Sequence, residues 1–216
     1  METSLPKRNA ITFTHQQARE QGRDLLRRNV IETASRLLVQ EGPDALTVRR
    51  IAQELDCSTK ILYTMFHGKD DVANALYIEG CERLRQELAR VPKIDNPTEY
   101  LYAMGWVYWN FALENPGYYG VMFGCAIPNF HPSDTSIHMA TTAFETLIEV
   151  VQRYMDQGIL AKDDARIIAK TLWASLHGVA SLQLLGHFAT LEDARDVSSR
   201  TIHAVVSSLI PDEFSR

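Results

Sequence analysis

Residues 47–69, TVRRIAQELDCSTKILYTMFHGK, limit what this chain can fold into more than any other stretch. Val48, Ile51, Ala52 and Leu55 recur at the i, i+3, i+4, i+7 spacing of one buried helix face, with Arg49, Arg50, Gln53 and Glu54 on the other faces. Thr47 precedes that run as an N-cap. Asp56, Cys57 and Ser58 interrupt it with side chains that favour turns and caps, and Ser58 can cap a second helix over 59–66. Two short helices joined this tightly cross steeply, in the helix-turn-helix arrangement. In the second helix Leu62 and either Met65 or Phe66 turn inward, which leaves Ser58, Thr59, Lys60, Tyr63, Thr64 and His67 facing out. Hydrogen-bonding and cationic groups at the start of an exposed helix are what reading the major groove requires. A solvated helical hairpin would show the same spacing.

The order of residues says more than the spacing. Thr47-Val48-Arg49-Arg50-Ile51-Ala52 followed by Leu62-Tyr63, Phe66 and Lys69 resembles the DNA-binding signature of the tetracycline-repressor (TetR) family, over residues 30–76. The resemblance implies an operator-binding protein, by family habit a repressor relieved by a ligand. With the exposed-face reading it makes Arg28, Thr47, Arg49, Ser58, Thr59, Lys60, Tyr63, Thr64, His67 and Lys69 the DNA-contacting positions. Lys60 stands where many members carry a small residue, often Gly, and a cation there adds to DNA contact.

A net charge of -5 would look wrong for a nucleic-acid binder if it were spread evenly. It is not: residues 1–69 hold 11 Lys+Arg against 8 Asp+Glu, and residues 70–216 hold 11 against 19. The basic end coincides with the proposed reading head. Three widely separated cysteines, Cys57, Cys81 and Cys125, suggest neither a disulfide framework nor a zinc site, and fit a reducing cytoplasm. No apolar run approaches the roughly 20 residues of a membrane span, and no signal-peptide core follows the first residues. The expectation is a cytoplasmic protein without membrane, metal or cofactor.

Along the chain, residues 1–22 are polar and carry Lys7, Arg8 and Arg19, as a frayed terminus or as an arm on DNA. Thr14 to Gln17 form a capping-box pattern, which Gly22 weakens as the start of a longer helix. Leu26, Val30, Ala34, Leu37 and Leu38 give a helix over 24–40, and Arg23, Arg27 and Arg28 on it can meet phosphates. With the paired helices it completes a three-helix head over 1–69. Helices are then expected over 70–91, 98–114, 118–123, 135–157, 163–186 and 191–209, with a proline-rich break at 92–97 and a loop at 124–134. The fold class is therefore all-α, about nine helices in total. The head is followed by a helical effector-binding and dimerisation domain at 70–216, whose helix 70–91 is the mechanical link.

Two features of the larger domain bear on function. Helix 163–186 is apolar on more than one side: Ile168, Leu172, Leu176 and Val179 form one stripe, while Ile167, Ala174, Leu182 and Leu185 lie on other faces. The second side can meet the same helix of another copy, with Ala174, Ser175, Gly178 and Ser181 allowing close approach, although a helix central in a monomeric bundle has the same pattern. Aromatic residues are also concentrated here. They fill a core or line a chamber, and Tyr102, Trp106, Trp109, Phe123, Phe144, Trp173 and His177 are the positions for a small-molecule effector. The segments 115–123 and Trp173-Ala174-Ser175-Leu176-His177-Gly178 are similar to the C-terminal domain of one TetR subgroup that carries a Trp-then-His-Gly motif.

An enzyme has little support: there is no glycine-rich phosphate loop, nucleophile elbow or His-Glu metal helix. A helical small-molecule-binding or interaction protein that reads no specific DNA site is the stronger rival. It would make Arg49, Lys60 and Tyr63 ordinary solvated surface.

Overall fold

A computed structural model describes residues 14–94, 96–123 and 126–210, which form nine α-helices and one 3-10 turn with no strand among the described residues. Residues 1–13 of the predicted arm, position 95 of the predicted break, positions 124 and 125 of the predicted loop and the last six residues lie outside the described residues, as does the side chain of Ala143.

The first helix, α1 (His15–Glu41), is longer than the periodicity predicts. The capping box at Thr14 is formed, with Gln17 N–H donating to the Thr14 hydroxyl at 3.3 Å and Thr14 N–H donating to Gln17 Oε1 at 2.9 Å. The helix then runs straight through Gly22. A glycine in a helix costs only about 1 kcal/mol, which one good cap offsets. The fully buried face begins only at Val30, with Leu26 partly buried before it, so the first three turns project into solvent. Gly42, at φ 82°, ends the helix and leads through the 3-10 turn Pro43–Ala45 into α2 (Val48–Glu54).

The turn between α2 and α3 (Thr59–Tyr63) is a Schellman motif: Cys57 N–H donates to Ala52 O at 3.0 Å and Asp56 N–H to Gln53 O at 3.3 Å. Its left-handed position, at φ 49°, is filled by Asp56, one of the few side chains besides Gly that tolerate it. Helix α3 is shorter than the predicted 59–66. Beyond Tyr63 the chain turns so that Phe66 drops into the buried core, 1% exposed, and this settles the choice between Met65 and Phe66.

The body follows as α4 (Lys69–Ala89), α5 (Pro97–Glu114), α6 (Pro116–Phe123), α7 (Asp134–Asp156), α8 (Ala165–Leu184) and α9 (Leu191–Ser208). Helix α4 touches α1, α5, α6 and α7; α8 and α9 pack closely on each other. A second junction joins head to body, which the sequence did not suggest. Helix α6 lies against α1 at Gly117, where a Cβ would stand 2.6 Å from the Ser35 carbonyl oxygen. Beside it Arg83 pairs with Glu32 of α1 and with Glu79 at 2.8 Å, while its guanidinium carbon sits 4.5 Å from the Tyr118 ring centroid. No described helix is long and apolar enough to cross a membrane.

Ion pairs brace α2 against α1. Arg50 reaches Glu41 at 2.6 Å and Glu54 at 2.9 Å, and Arg36 reaches Glu54 at 2.8 Å. The Arg50 hydrogen bond lowers the Glu41 pKa, and those of Arg36 and Arg50 lower that of Glu54, from the ordinary 4.5. Carboxyls whose pKa is depressed in the folded state contribute stability above their ordinary pKa and lose it as pH falls through the depressed one. The melting temperature should therefore respond to these pairs only below about pH 4.5, and Arg50→Gln should flatten that acid limb. An acid limb unchanged by Arg50→Gln would show that the brace does not contribute.

Candidate functional site

The exposed side of the head is built by caps. The Thr47 hydroxyl accepts from Arg50 N–H at 3.1 Å and the Ser58 hydroxyl from Lys60 N–H at 3.2 Å, which fixes where α2 and α3 begin. Helix α2 packs on α1 and α3 on α2, with Val48, Ile51, Ala52 and Leu62 buried, and this leaves Thr59, Lys60, Tyr63 and Thr64 on the outer surface. Tyr63 is 44% exposed and Ile61 48%. Arg28, Arg49 and His67 are also exposed, so the polar positions expected to face out do so, with Lys69 half-buried.

Some of these groups already have partners. The Thr64 hydroxyl donates to Ile61 O at 2.6 Å, and His67 N–H donates to Asp71 Oδ2 at 2.8 Å. Asp70 and Asp71 share the first turn of α4 with Lys69, which weakens that helix end as an anion site. Arg27, which is exposed, lies 4.9 Å from the Phe66 ring centroid.

In the body, the aromatic positions expected to act together fall into two groups. Phe144, Trp173, His177 and Phe123 form a continuous set of ring contacts: Phe144 to Trp173 at 6.1 Å, Trp173 stacked on His177 at 5.4 Å, and Phe123 within 5.7 Å of both. Tyr102, Trp106 and Trp109 form a separate edge-to-face line along α5, at 6.1 and 6.5 Å. The Tyr102 hydroxyl is bonded to Ser199 of α9, and the Arg195 guanidinium lies 5.9 Å from the Trp106 ring. Trp109, 1% exposed, is core.

A cavity of about 60 Å³ lies between α4, α5, α7, α8 and α9, walled by residues that include Leu88, Met104, Tyr108, Leu147, Leu172 and Ile202. Of the seven expected effector positions, only Trp173 lines it. Tyr108 and Tyr119 were missed by the sequence reading, and they connect the cavity to His177. The Tyr119 hydroxyl is 2.6 Å from His177 Nδ1, the Tyr108 hydroxyl is 3.3 Å from the same nitrogen, and the two hydroxyls are 3.1 Å apart. Burial raises both phenol pKa values and lowers that of the imidazole, so all three groups are neutral at neutral pH. The signal was in the spacing: Leu101, Met104, Tyr108 and Ala112 are the inward stripe of α5, and Tyr102 and Trp106 lie off it.

Two sequence models of known families match the chain. The one described as bacterial regulatory proteins, tetR family, covers residues 30–76, and the tetracyclin repressor-like C-terminal domain covers 101–205. The chain belongs to the TetR family. It is a helix-turn-helix transcriptional regulator, and the two TetR matches fall on the head and on the helices that wall the cavity. Among relatives, the HTH-type transcriptional regulator YobS of Bacillus subtilis is 22% identical over 186 residues, 86% of this chain and 93% of YobS. A protein of unknown function from Rhodococcus sp. RHA1 has a similar fold, with a TM-score of 0.74 at 20% identity, over 95% of this chain and 100% of that one. The TetR regulator PfmR from Thermus thermophilus superposes with a TM-score of 0.65 at 19% identity, over 82% of this chain and 97% of PfmR.

Proposed function

We propose that this TetR regulator is a homodimeric repressor that binds a palindromic operator through α3 and is released when a small, largely apolar effector enters the body. The observation that carries the reading is the position of the cavity, whose wall includes Leu88 of α4 and which adjoins, through Tyr108, the Tyr119 and Phe123 rings of α6. Both helices also touch α1 of the head.

The cavity is smaller than the roughly 150 Å³ that accepts benzene in an engineered protein, so an effector has to displace side chains. Interiors at crystal-like density transmit such displacement instead of absorbing it. Movement of α4 and α6 would reach α1 at the Arg83–Glu32 pair and at Gly117, and would change the separation of the two α3 helices of a dimer. Half-sites lie about 34–36 Å apart, or a multiple of that, so a shift of a few ångströms unseats one head.

Coupling of this kind is reciprocal. An effector that weakens operator binding tenfold, about 1.4 kcal/mol, must itself bind tenfold more weakly to the operator complex. The test is to find ligands by thermal shift and measure their affinity with and without operator. Equal affinities for every ligand found would refute the switch.

On the DNA side, Lys69, Tyr63 and Thr47 are assigned to phosphates, and Thr59 and Lys60 to base edges. Lys69→Ala should weaken binding to all sequences alike and reduce the salt slope by about one, whereas Lys60→Ala should relax discrimination at one base pair by about 1–3 kcal/mol. Equal losses on operator and random DNA for Lys60→Ala would remove it as a base reader.

A further inference from the structure

Helix α1 extends past the head, and one face of the extension is cationic. The elements of the head follow α1 backwards toward its start. Arg50 of α2 pairs with Glu41 at 2.6 Å, and Glu54 at the end of α2 pairs with Arg36 at 2.8 Å. The ring centroid of Phe66, three residues past α3, lies 4.9 Å from the Arg27 guanidinium carbon. The corner between α3 and α4 therefore stands beside Arg27, and residues 15–25 project beyond it, all of them exposed. At 1.5 Å per residue this projection is about 16 Å long.

A single row of side chains runs through both parts of the helix. Val30, Ala34 and Leu37 pack into the core of the head, and Arg27, Arg23 and Arg19 continue the same row at spacings of three and four. The face that is apolar inside the head turns to arginine where it leaves it, and so overhangs the corner that presents Tyr63, His67 and Lys69. Among the described residues none of Arg19, Arg23 and Arg27 forms an ion pair, whereas Arg36, Arg50, Arg83 and Arg166 do. The two carboxylates of the extension do not neutralise the row. Glu20 accepts from the Gln16 amide at 3.0 Å, and Asp24 forms no ion pair among the described residues.

We infer that the projecting part of α1 lies along the sugar-phosphate backbone of the bound DNA, where Arg19 and Arg23 bind phosphates beyond those reached by the helix-turn-helix. Charge and continuity set the partner. Unpaired guanidinium groups in a row suit a regular line of anions, and this row begins at the edge of a head that belongs to a family of DNA-binding regulators. A helix with its side chains is about 10–12 Å across, so the minor groove, roughly 6 Å wide, excludes it. In the reading above the major groove of the half-site is taken by α3. Contacts from the extension therefore go to the backbone, over the rise of about five base pairs. They add affinity and salt dependence at every sequence alike and carry no base readout. The inference rests on DNA binding by the head and adds a second surface to it.

The test is fluorescence anisotropy of the full chain on its upstream DNA and on random DNA at 50–200 mM salt, compared with Arg19→Gln/Arg23→Gln. Glutamine is as good a helix former as arginine, so circular dichroism and melting temperature should be unchanged. Two phosphate contacts contribute about 1.8 to the slope of log affinity against log salt, so the advantage of the parent chain should narrow roughly tenfold across that range. The loss should be the same on both DNAs and leave their affinity ratio at the parent value. Arg19→Lys/Arg23→Lys, which keeps both charges, should retain the parent slope. A slope for the glutamine variant equal to the parent's would overturn the inference while leaving the head as the DNA reader. A loss confined to the upstream DNA would also overturn it, since it would make the arginines base readers. A parent chain that binds neither DNA would overturn the regulator reading itself, and this inference with it.

Discussion

Ala174→Glu is expected to give a folded protomer that no longer dimerises. Helix α8 turns Ile168, Leu172, Leu176 and Val179 into the core, and an opposite stripe remains in solvent: Ile167 at 53% exposure, Leu182 at 45%, Leu185 at 72%, with Ala174 and Gly178 between them. A Cβ placed on Gly178 meets no atom within 4 Å in the protomer. An apolar stripe with its smallest residues at the centre fits close approach of the same helix from a second copy, and exposed Leu191 and Val197 on α9 extend the surface. In the protomer a glutamate at this exposed helical position has little effect on stability. In a two-fold interface two such charges face each other without partners, at a cost on the order of 4 kcal/mol or more, about three powers of ten in dimer affinity. Sedimentation equilibrium should show a dimer for the parent chain and a monomer for the variant, with unchanged helical circular dichroism. A parent chain that is monomeric at micromolar concentration would contradict the assignment.

The second large effect is expected at the junction between α6 and α1. Gly117→Ala places its methyl against both the Ser35 hydroxyl and the Ser35 backbone carbonyl, the latter at 2.6 Å. Backbone cannot rotate away as a flexible side chain can. The overlap has to be relieved by separating the helices, at about 1–3 kcal/mol for overpacking, which lowers the melting temperature by roughly 2–12 °C in a chain of this size. Ser35→Ala removes only the hydroxyl contact and should restore part of that loss. In the switch proposed above, the same variant should reduce the effect of ligand on operator affinity, because α6 no longer presses on α1 as it does in the parent chain. A melting temperature within 1 °C of the parent would show that the junction is looser than described.

Much of this was legible in the sequence, and the misses have physical causes. The head was read well because caps, apolar spacing and turn residues agree locally: Thr47 and Ser58 cap the helices expected of them, and Asp56 makes the turn. The start of α1 was underestimated because a helix glycine is weakly unfavourable and the capping box at Thr14 was real. The end of α3 was overestimated because burial of Phe66 overrides helical continuation. In the body, counting aromatics did not distinguish the two sides of α5. Tyr102 and Trp106 face α9, while Tyr108, two residues beyond Trp106, reaches His177. The α6–α1 contact joins residues more than eighty positions apart through a glycine and a serine, which leave no periodic trace.

The most direct test of the regulator reading is binding of the full chain to the DNA upstream of its own coding sequence, followed by fluorescence anisotropy across a salt series with random DNA as competitor. Two α3 heads reading half-sites should give an affinity whose logarithm falls linearly with log salt and which still exceeds that for random DNA by about 10³-fold or more at physiological salt. Equal affinity for upstream and random DNA at every salt concentration would contradict it, and would leave a helical ligand-binding protein whose Arg49, Lys60 and Tyr63 are only solvated surface.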